Sequence, residues 1–507
     1  MPVDIDLKLA APMVSLAAGA LAVLLLDLIL PARRARPWAF LATLGSIGLA
    51  GWYGVGLYGG AAARSDLIGP VSAFLGAMWG DRMGLALNLV VLAAALLAAC
   101  LSFGRREEDV SGYLALLLWA TMGMMVLGAA GDLMVFFVAL ELLSLSLYVL
   151  VGFASDRRAR EAAFKYFILG SAASALFLLG AAFLFGAVGS LAFAGIAAGA
   201  RTGLTSPLFL AGGALVIAGI AFKLALAPFH VWTPDVYQGA STAVTAFMSV
   251  GTKAAAFAGL VRLLGSLAPE SGAAPASLLA PLWVMALLSM VVGSLAALGQ
   301  KNLKRMLAYS GVAHAGYLLV AFPNLTSQGV GAAFFYLGAY TATNLGAFAV
   351  IAWLEAEGRA GDELEGYTGL FYQKPWLSGL MTLYMVSLAG VAPTAGFMGK
   401  LLVIQAGMQA GAGGWAWALI TGMVATTVVS AFVYLKVVRQ MVAQPAVAGQ
   451  AEVAQVAAAS DSPGPGASRW VLAGIAAVLV LTAWGTLQLG LWPQSLLPVT
   501  VGLLPAP

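Results

Sequence analysis

Long apolar runs separated by short polar connections recur along the whole chain. Fourteen of them can be read as membrane-spanning helices, near 9–30, 37–58, 83–103, 111–130, 132–153, 161–186, 207–227, 240–263, 278–298, 303–321, 329–353, 375–407, 412–438 and 470–492. The runs are rich in Leu, Ala and Gly and lack the two-residue alternation of a barrel strand, so the pattern predicts an all-α polytopic bundle. The twelfth run is too long for one straight helix. Its stretch SLAGVAPTAGF sets Gly390, Pro393 and Gly396 where the helical ladder would otherwise continue. In the seventh run Pro228 removes an amide shortly after Lys223, and a comparable break is expected there. Broken helices at membrane depth are tolerated where protein or a water-filled cavity surrounds them.

The two breaks lie five spans apart, which suggests an organisation. Residues 1–103 supply three N-terminal spans, and 111–263 and 278–438 form two five-helix units. Five is odd, so the second unit is inverted relative to the first, with Lys223 and Lys400 in equivalent slots at discontinuous helices 7 and 12. The Ala-, Pro- and Gly-rich stretch 441–468 reads as a flexible linker before the last span, 470–492.

Composition strengthens the membrane assignment. Of 507 residues 62% are hydrophobic and 9% charged, and the mean hydropathy is +0.95. A soluble domain carries about 25% charge, so there is too little here to cover a water-facing surface of this size. A single cysteine, Cys100, excludes a disulfide framework and any Cys-ligated zinc or iron–sulfur cluster. A net charge of +4, spread along the chain, gives no sign of nucleic-acid binding. The opening MPVDIDLK is acidic, unlike a cleaved signal peptide, and the first helix is expected to be retained. Sixteen of the 25 Lys and Arg residues fall in odd-numbered connections, against five (Lys8, Arg64, Arg82, Arg201, Arg262) at the N-terminus and in even-numbered ones. The positive-inside rule then sets both termini on the outer face.

Four lysines remain, inside or at the edge of apolar runs: Lys165, Lys223, Lys253 and Lys400. Glu141 in VALELLSLS and His314 in GVAHAGY join them. Ionisable groups at such depth usually face a bundle interior or a hydrated path. Each has a plainer reading. Lys165 sits close to a connection and can snorkel, and His314 can be a satisfied core histidine. The set as a whole is what a purely structural bundle does not need. Burial disfavours a charged lysine and a nearby carboxylate restores it, so a Glu141–lysine pair would change its proton affinity on separating. Lysines joined by water and histidine form a relay of coupled titrations. His230 and Asp235 in PFHVWTPDVYQG are too few for a metal site and read as a polar hinge, with Pro228 and Pro393 at the breaks. There is no dinucleotide turn, phosphate loop or metal-spaced cysteine set. Proton movement through the bilayer is therefore the leading reading. A bundle whose charges only stabilise packing is the second, and a transporter of an organic solute lacks a recognisable binding cluster.

Three motifs carry a family resemblance: FKLALAPFHVWTPDVYQGASTAVTAF (222–247), KNLKRMLAYSGVAHAGY (301–317) and SLAGVAPTAGFMGK (387–400). With them the chain resembles, over essentially its full length, the antiporter-like membrane subunits of respiratory complex I, and among these the subunit N group of bacterial NADH–quinone oxidoreductases. The resemblance implies a proton-translocating subunit of a large assembly in the bacterial inner membrane. Within it, Glu141 matches the family's fifth-span glutamate, Lys165 its lysine partner on the next helix, and Lys223, Lys253 and Lys400 the lysines of spans seven, eight and twelve. Subunit M usually has glutamate in the twelfth-span position, so Lys400 favours N or L, and L is normally longer. NADH, FMN, iron–sulfur clusters and quinone are implied for partner subunits and no cofactor for this chain. Neighbouring antiporter-like and small membrane subunits, lipids and the transported proton are the implied partners. The related reading is a subunit of a multi-protein Mrp-type sodium/proton antiporter. One departure stands out: the family's APTPVTAF is ASTAVTAF at 240–247, which should leave the start of the eighth span more regular.

Overall fold

The computed structural model describes residues 7–63, 71–103, 109–154, 156–203, 206–267, 276–322, 325–359, 361–411, 413–444 and 469–500. The acidic opening and nearly all of the expected 441–468 linker lie outside them.

Helices dominate. Before the first break come α1 (Leu7–Ile29), α2 (Ala32–Ala63), α3 (Arg82–Leu101), α4 (Val110–Ala129), α5 (Leu133–Gly152), α6 (Arg157–Val188), α7 (Phe193–Gly203) and α8 (Pro207–Leu224). After it come α9 (Thr233–Gly239), α10 (Thr242–Leu267), α11 (Ala276–Leu298), α12 (Leu303–Leu319), α13 (Ser327–Ala356), α14 (Leu370–Gln373) and α15 (Pro375–Ala389). The second break leads into α16 (Ala395–Gln409), followed by α17 (Gly413–Val442), α18 (Arg469–Leu491) and α19 (Leu497–Thr500). Local chemistry sets the starts. Asp81, Asp109, Asp132 and Asp156 cap α3 to α6, each accepting from the amide three residues on, and Pro207 and Pro375 open α8 and α15.

Twelve described helices are long and apolar enough to cross a membrane, and the chain is a multi-pass membrane protein. The fourteen expected runs all fall on helices. The remaining two are α12, which has only 17 residues, and the broken pair α15 and α16. Short elements outside these runs were not anticipated: α7, α9, α14, α19, and a small hairpin of β1 (Val71–Ala73) with β2 (Met78–Gly80).

Both expected breaks are present. The seventh span leaves its helix at Ala225 (φ +58°), three residues ahead of Pro228, so proline is not the first interruption. The twelfth leaves at Gly390 (φ +84°), three residues ahead of Pro393. The parallel does not extend to the lysines' places along the chain: Lys223 lies on the half-helix entering its break, Lys400 on the half-helix leaving it. The missing prolines at 240–247 do not make the eighth span continuous with α9, because Ala240 stays extended between the two helices.

Every position in the most apolar window of α10 is buried, and nearly as much of α13. A spanning helix normally gives one face to lipid. These two are instead wrapped by the others and form the axis on which the polar groups sit.

Candidate proton path

Lys223, Lys253, Lys400 and His314 are all at least nine-tenths buried. Around Lys223 the side chains are aromatic. Its Nζ lies 5.0 Å from the Tyr166 ring centre and 5.5 Å from that of Tyr148, and donates to Tyr166 Oη at 3.4 Å. Tyr166 stacks on Trp232 at 4.6 Å, and Trp232 donates to the carbonyl of Phe222, next to Lys223. Ring faces attract the ammonium where no anion is in contact. Glu141, half-buried on α5, accepts from Ser174 and acts electrostatically on both Lys223 and Tyr148.

Lys165 is elsewhere. The expected Glu141–Lys165 pair is not formed; Lys165 Nζ meets Glu161 and Asp235, both at 2.8 Å, and its side chain is 42% exposed. It stands within the first turns of α6, and the plain snorkelling reading describes it. Arg158, Glu161, Lys165, Asp235 and Gln238 line a cavity of about 160 Å³ at the end of the bundle that also carries Arg305. Asp235 accepts from Lys165 and from Arg305 Nη1. Burial alone would raise the Asp235 carboxyl, but these two cations hold it below the usual carboxylate value. His230, half-buried in the same connection, faces the ring of Tyr309 at 6.4 Å. Among the described residues no group of three or more His, Cys, Asp or Glu is arranged to hold a metal.

The axis between α10 and α13 carries polar pairs. Near the Arg305 end, Thr242 donates to Glu355, which also pairs with Lys304 at 3.1 Å. Further in, Asn344 donates to Ser249 at 2.6 Å, and one turn beyond on each helix Lys253 faces Tyr340, its Nζ 5.3 Å from the ring centre.

Beyond Tyr340, His314 is the hub of a tyrosine cluster. Its ring lies 5.0 Å from that of Tyr340 and 5.3 Å from that of Tyr317. Nδ1 meets Tyr336 Oη at 2.6 Å and Nε2 meets Tyr434 Oη at 3.0 Å. A neutral imidazole donates from one nitrogen and accepts at the other, so a tautomer change reverses the whole Tyr336–His314–Tyr434 line. Tyr434 continues to Ser310, and Tyr317 to Ser430 and Ser294. Lys400 Nζ sits 5.1 Å from the Tyr317 ring centre and donates to the carbonyls of Leu388 and Ala389, both at 3.1 Å. Those carbonyls are free because α15 ends there, and a helix C-terminus favours a cation. A void of about 10 Å³ between His314, Tyr336, Tyr340, Thr343, Ser387 and Leu388 has room for about one water.

The tyrosines escape sequence reading, since a buried tyrosine looks like any aromatic core residue. So does Arg262, which the apolar pattern places with the connections. It lies inside α10 with its side chain fully buried, bidentate to Asp81 at 2.6 and 3.1 Å and donating twice to the carbonyl of Gly128.

The comparisons with known proteins fit this geometry. The family described as NADH:quinone oxidoreductase/Mrp antiporter, TM, matches residues 130–430. Subunit N 1 of the NADH-quinone oxidoreductase of Symbiobacterium thermophilum is 46% identical, over 97% of each chain. Subunit N of Trichlorobacter lovleyi is 39% identical over 97% of this chain and 96% of the relative. A chain of respiratory complex I from Thermus thermophilus superposes with a TM-score of 0.77 at 35% identity, covering 97% of this chain and all of that one. A chain of the Mrp complex from Dietzia shares the fold, with a TM-score of 0.79 at 23% identity over 98% of this chain and 96% of that one. The chain belongs to the NADH:quinone oxidoreductase/Mrp antiporter transmembrane family, in its subunit N group.

Proposed function

We propose that this chain is a proton-translocating membrane subunit of an NADH–quinone oxidoreductase, with Lys223, Lys253, His314 and Lys400 as the groups that pass the proton. NADH oxidation and quinone reduction take place in partner subunits, where FMN, the iron–sulfur clusters and the quinone reside. This chain binds no cofactor and assembles with neighbouring antiporter-like and small membrane subunits in a bacterial inner membrane, both termini on the outer face. The redox assembly is preferred over an Mrp-type antiporter because the subunit N relatives carry identities of 38–46%, against 23% for the Mrp chain. The two five-helix units, 111–263 and 278–438, act as inverted repeats that each supply one broken helix.

The observation that carries the proposal is the file of buried ionisable and phenolic side chains in successive ring contact, from Lys253 through Tyr340, His314 and Tyr317 to Lys400. A structural bundle has no use for three buried ammonium groups, each costly to hold in low dielectric. The charged cavity around Asp235 and Lys165 serves as the proton-collecting mouth. Tyr166, next to Lys165 in sequence, leads from it to Lys223. Rearrangement in the redox subunits changes the field of Glu141 on Lys223, which releases its proton toward Lys253, and Lys400 delivers it to the outer face. The second reading, a scaffold whose charges serve packing, predicts that Lys223→Ala disturbs assembly. The test is NADH–quinone turnover and proton pumping in membranes carrying Lys223→Ala, with assembly followed by native gel. A proton path predicts an assembled complex with both activities depressed; an unchanged proton-to-electron ratio in an assembled complex demotes Lys223 to scaffold.

A further inference from the structure

Lys253 and Tyr340 present a local anomaly on the axis. Neighbouring rungs between α10 and α13 are hydrogen-bonded, Thr242 to Glu355 and Ser249 to Asn344. On this rung Lys253 Nζ and Tyr340 Oη have no hydrogen-bond partner, although each residue is more than nine-tenths buried. Leaving two such groups unpaired is costly, so something must hold them there.

The third helix at this place is α12, and the residue it offers is Gly311. A Cβ on Gly311 would stand 2.5 Å from Lys253 Nζ and 3.1 Å from Tyr340 Oη. The first distance is closer than real Cβ contacts, so the ammonium occupies the space that a side chain at 311 would take. The backbone of Gly311 is ordinary helix and does not require glycine. The missing atom is therefore what matters. His314 follows three residues later on the same helix, so the notch and the imidazole share one face.

We propose that Gly311 is a positioning residue: its bare Cα forms the seat in which the Lys253 ammonium rests beside the Tyr340 hydroxyl, and this seat connects Lys253 to the His314 cluster. The proposal rests on the proton-path reading and names the residue that sets the contact in the file at which both facing polar atoms, Lys253 Nζ and Tyr340 Oη, lack a hydrogen-bond partner. With the seat filled by a methyl group, the ammonium must withdraw along its flexible stem. The step toward Tyr340 and His314 then lengthens, and misplacement by about 1 Å costs up to about a hundredfold in rate where transfer depends on geometry.

The test compares Gly311→Ala, Gly311→Ser and Lys253→Met in membranes of the full assembly, reading turnover, proton-to-electron ratio and native-gel assembly. Gly311→Ala should assemble and lose about tenfold or more of coupled turnover. Serine has the same Cβ and is larger, but its hydroxyl offers Lys253 and Tyr340 the partner they lack. It should recover at least half of what alanine loses. A role in packing alone predicts serine no better than alanine, and that result overturns the proposal, as does wild-type turnover in Gly311→Ala. Lys253→Met separates the two levels. If it is silent the proton-path reading fails, whereas depressed Lys253→Met with normal Gly311→Ala removes only the seat. Should Gly311→Ala not assemble, the wild-type assembly decides by density: the Lys253 ammonium within about 4 Å of the Gly311 Cα supports the seat, and an ammonium turned away from α12 overturns it.

Discussion

Arg305 and Asp235 join α12 to α9: Nη1 of Arg305 lies 2.5 Å from Oδ1 of Asp235, on the short helix that follows the first break. The other carboxylate oxygen is held by Lys165 of α6. One carboxylate thus ties α6 to α12, in the lining of the charged cavity. Asp235→Asn should leave assembly intact and lower coupled turnover about two- to fivefold, since pairs this exposed are each worth up to about 1 kcal/mol. Because the folded carboxyl is held below its unfolded value, the stabilisation is present above the unfolded pKa and is lost as pH falls through the lowered folded one. Thermal unfolding of the wild-type assembly should accordingly show an acid-side loss that Asp235→Asn lacks. Equal acid sensitivity in the two would remove Asp235 from that role.

The far end of α10 is fastened differently. Arg262 is fully buried and Asp81 nearly so, and Arg262→Met should strand the carboxylate and cost up to about 3 kcal/mol, seen as loss of assembled subunit on a native gel. Adding Asp81→Asn should return most of it, because the uncompensated charge is then gone. A double variant no better than the single one would show that the guanidinium's bonds to Gly128 O dominate instead.

These two pairs show where sequence reading succeeds and where it stops. Apolar run length found the spans, because the bilayer imposes one scale on all of them. Lys223, Lys253, Lys400 and His314 were legible as charges or potential charges in the wrong solvent, and the structure brings the last three to one axis. The pairing of Lys165 with Glu141 was not legible: partners depend on which faces of α5 and α6 meet, and Lys165 turns instead to Glu161 and Asp235. Arg262, at the very end of the expected run 240–263, was counted with the connections, whereas α10 continues to Leu267 and holds it inside the helix. The hydroxyls of Tyr336, Tyr340 and Tyr434 gave no signal, since aromatic residues in apolar helices are ordinary core.

The hydroxyls on either side of His314 should matter separately from their rings. Tyr336→Phe and Tyr434→Phe keep the packing and each strip one imidazole nitrogen of its partner. An orphaned buried group costs about 1–3 kcal/mol, so each variant should assemble and lose roughly five- to hundredfold of coupled turnover. Unchanged activity in both would show that the Tyr336–His314–Tyr434 line carries no protons.

At the second break, Gly390 supports Lys400 in two ways. Its φ of +84° favours glycine, and a Cβ there would stand 2.8 Å from Lys400 Cδ. Gly390→Ala should destabilise the subunit by about 1–2 kcal/mol and depress turnover by moving Lys400 off the Leu388 and Ala389 carbonyls. A drop in melting temperature without a drop in turnover would separate the fold of the break from the use of the lysine.

Continuity of the file through His314 is tested most directly by the proton-to-electron ratio and turnover of the assembled complex carrying His314→Leu. The imidazole ring contacts the rings of both Tyr340 and Tyr317. A path through it predicts normal assembly on a native gel with coupled turnover lowered about tenfold or more. Wild-type turnover with an unchanged proton-to-electron ratio would contradict it.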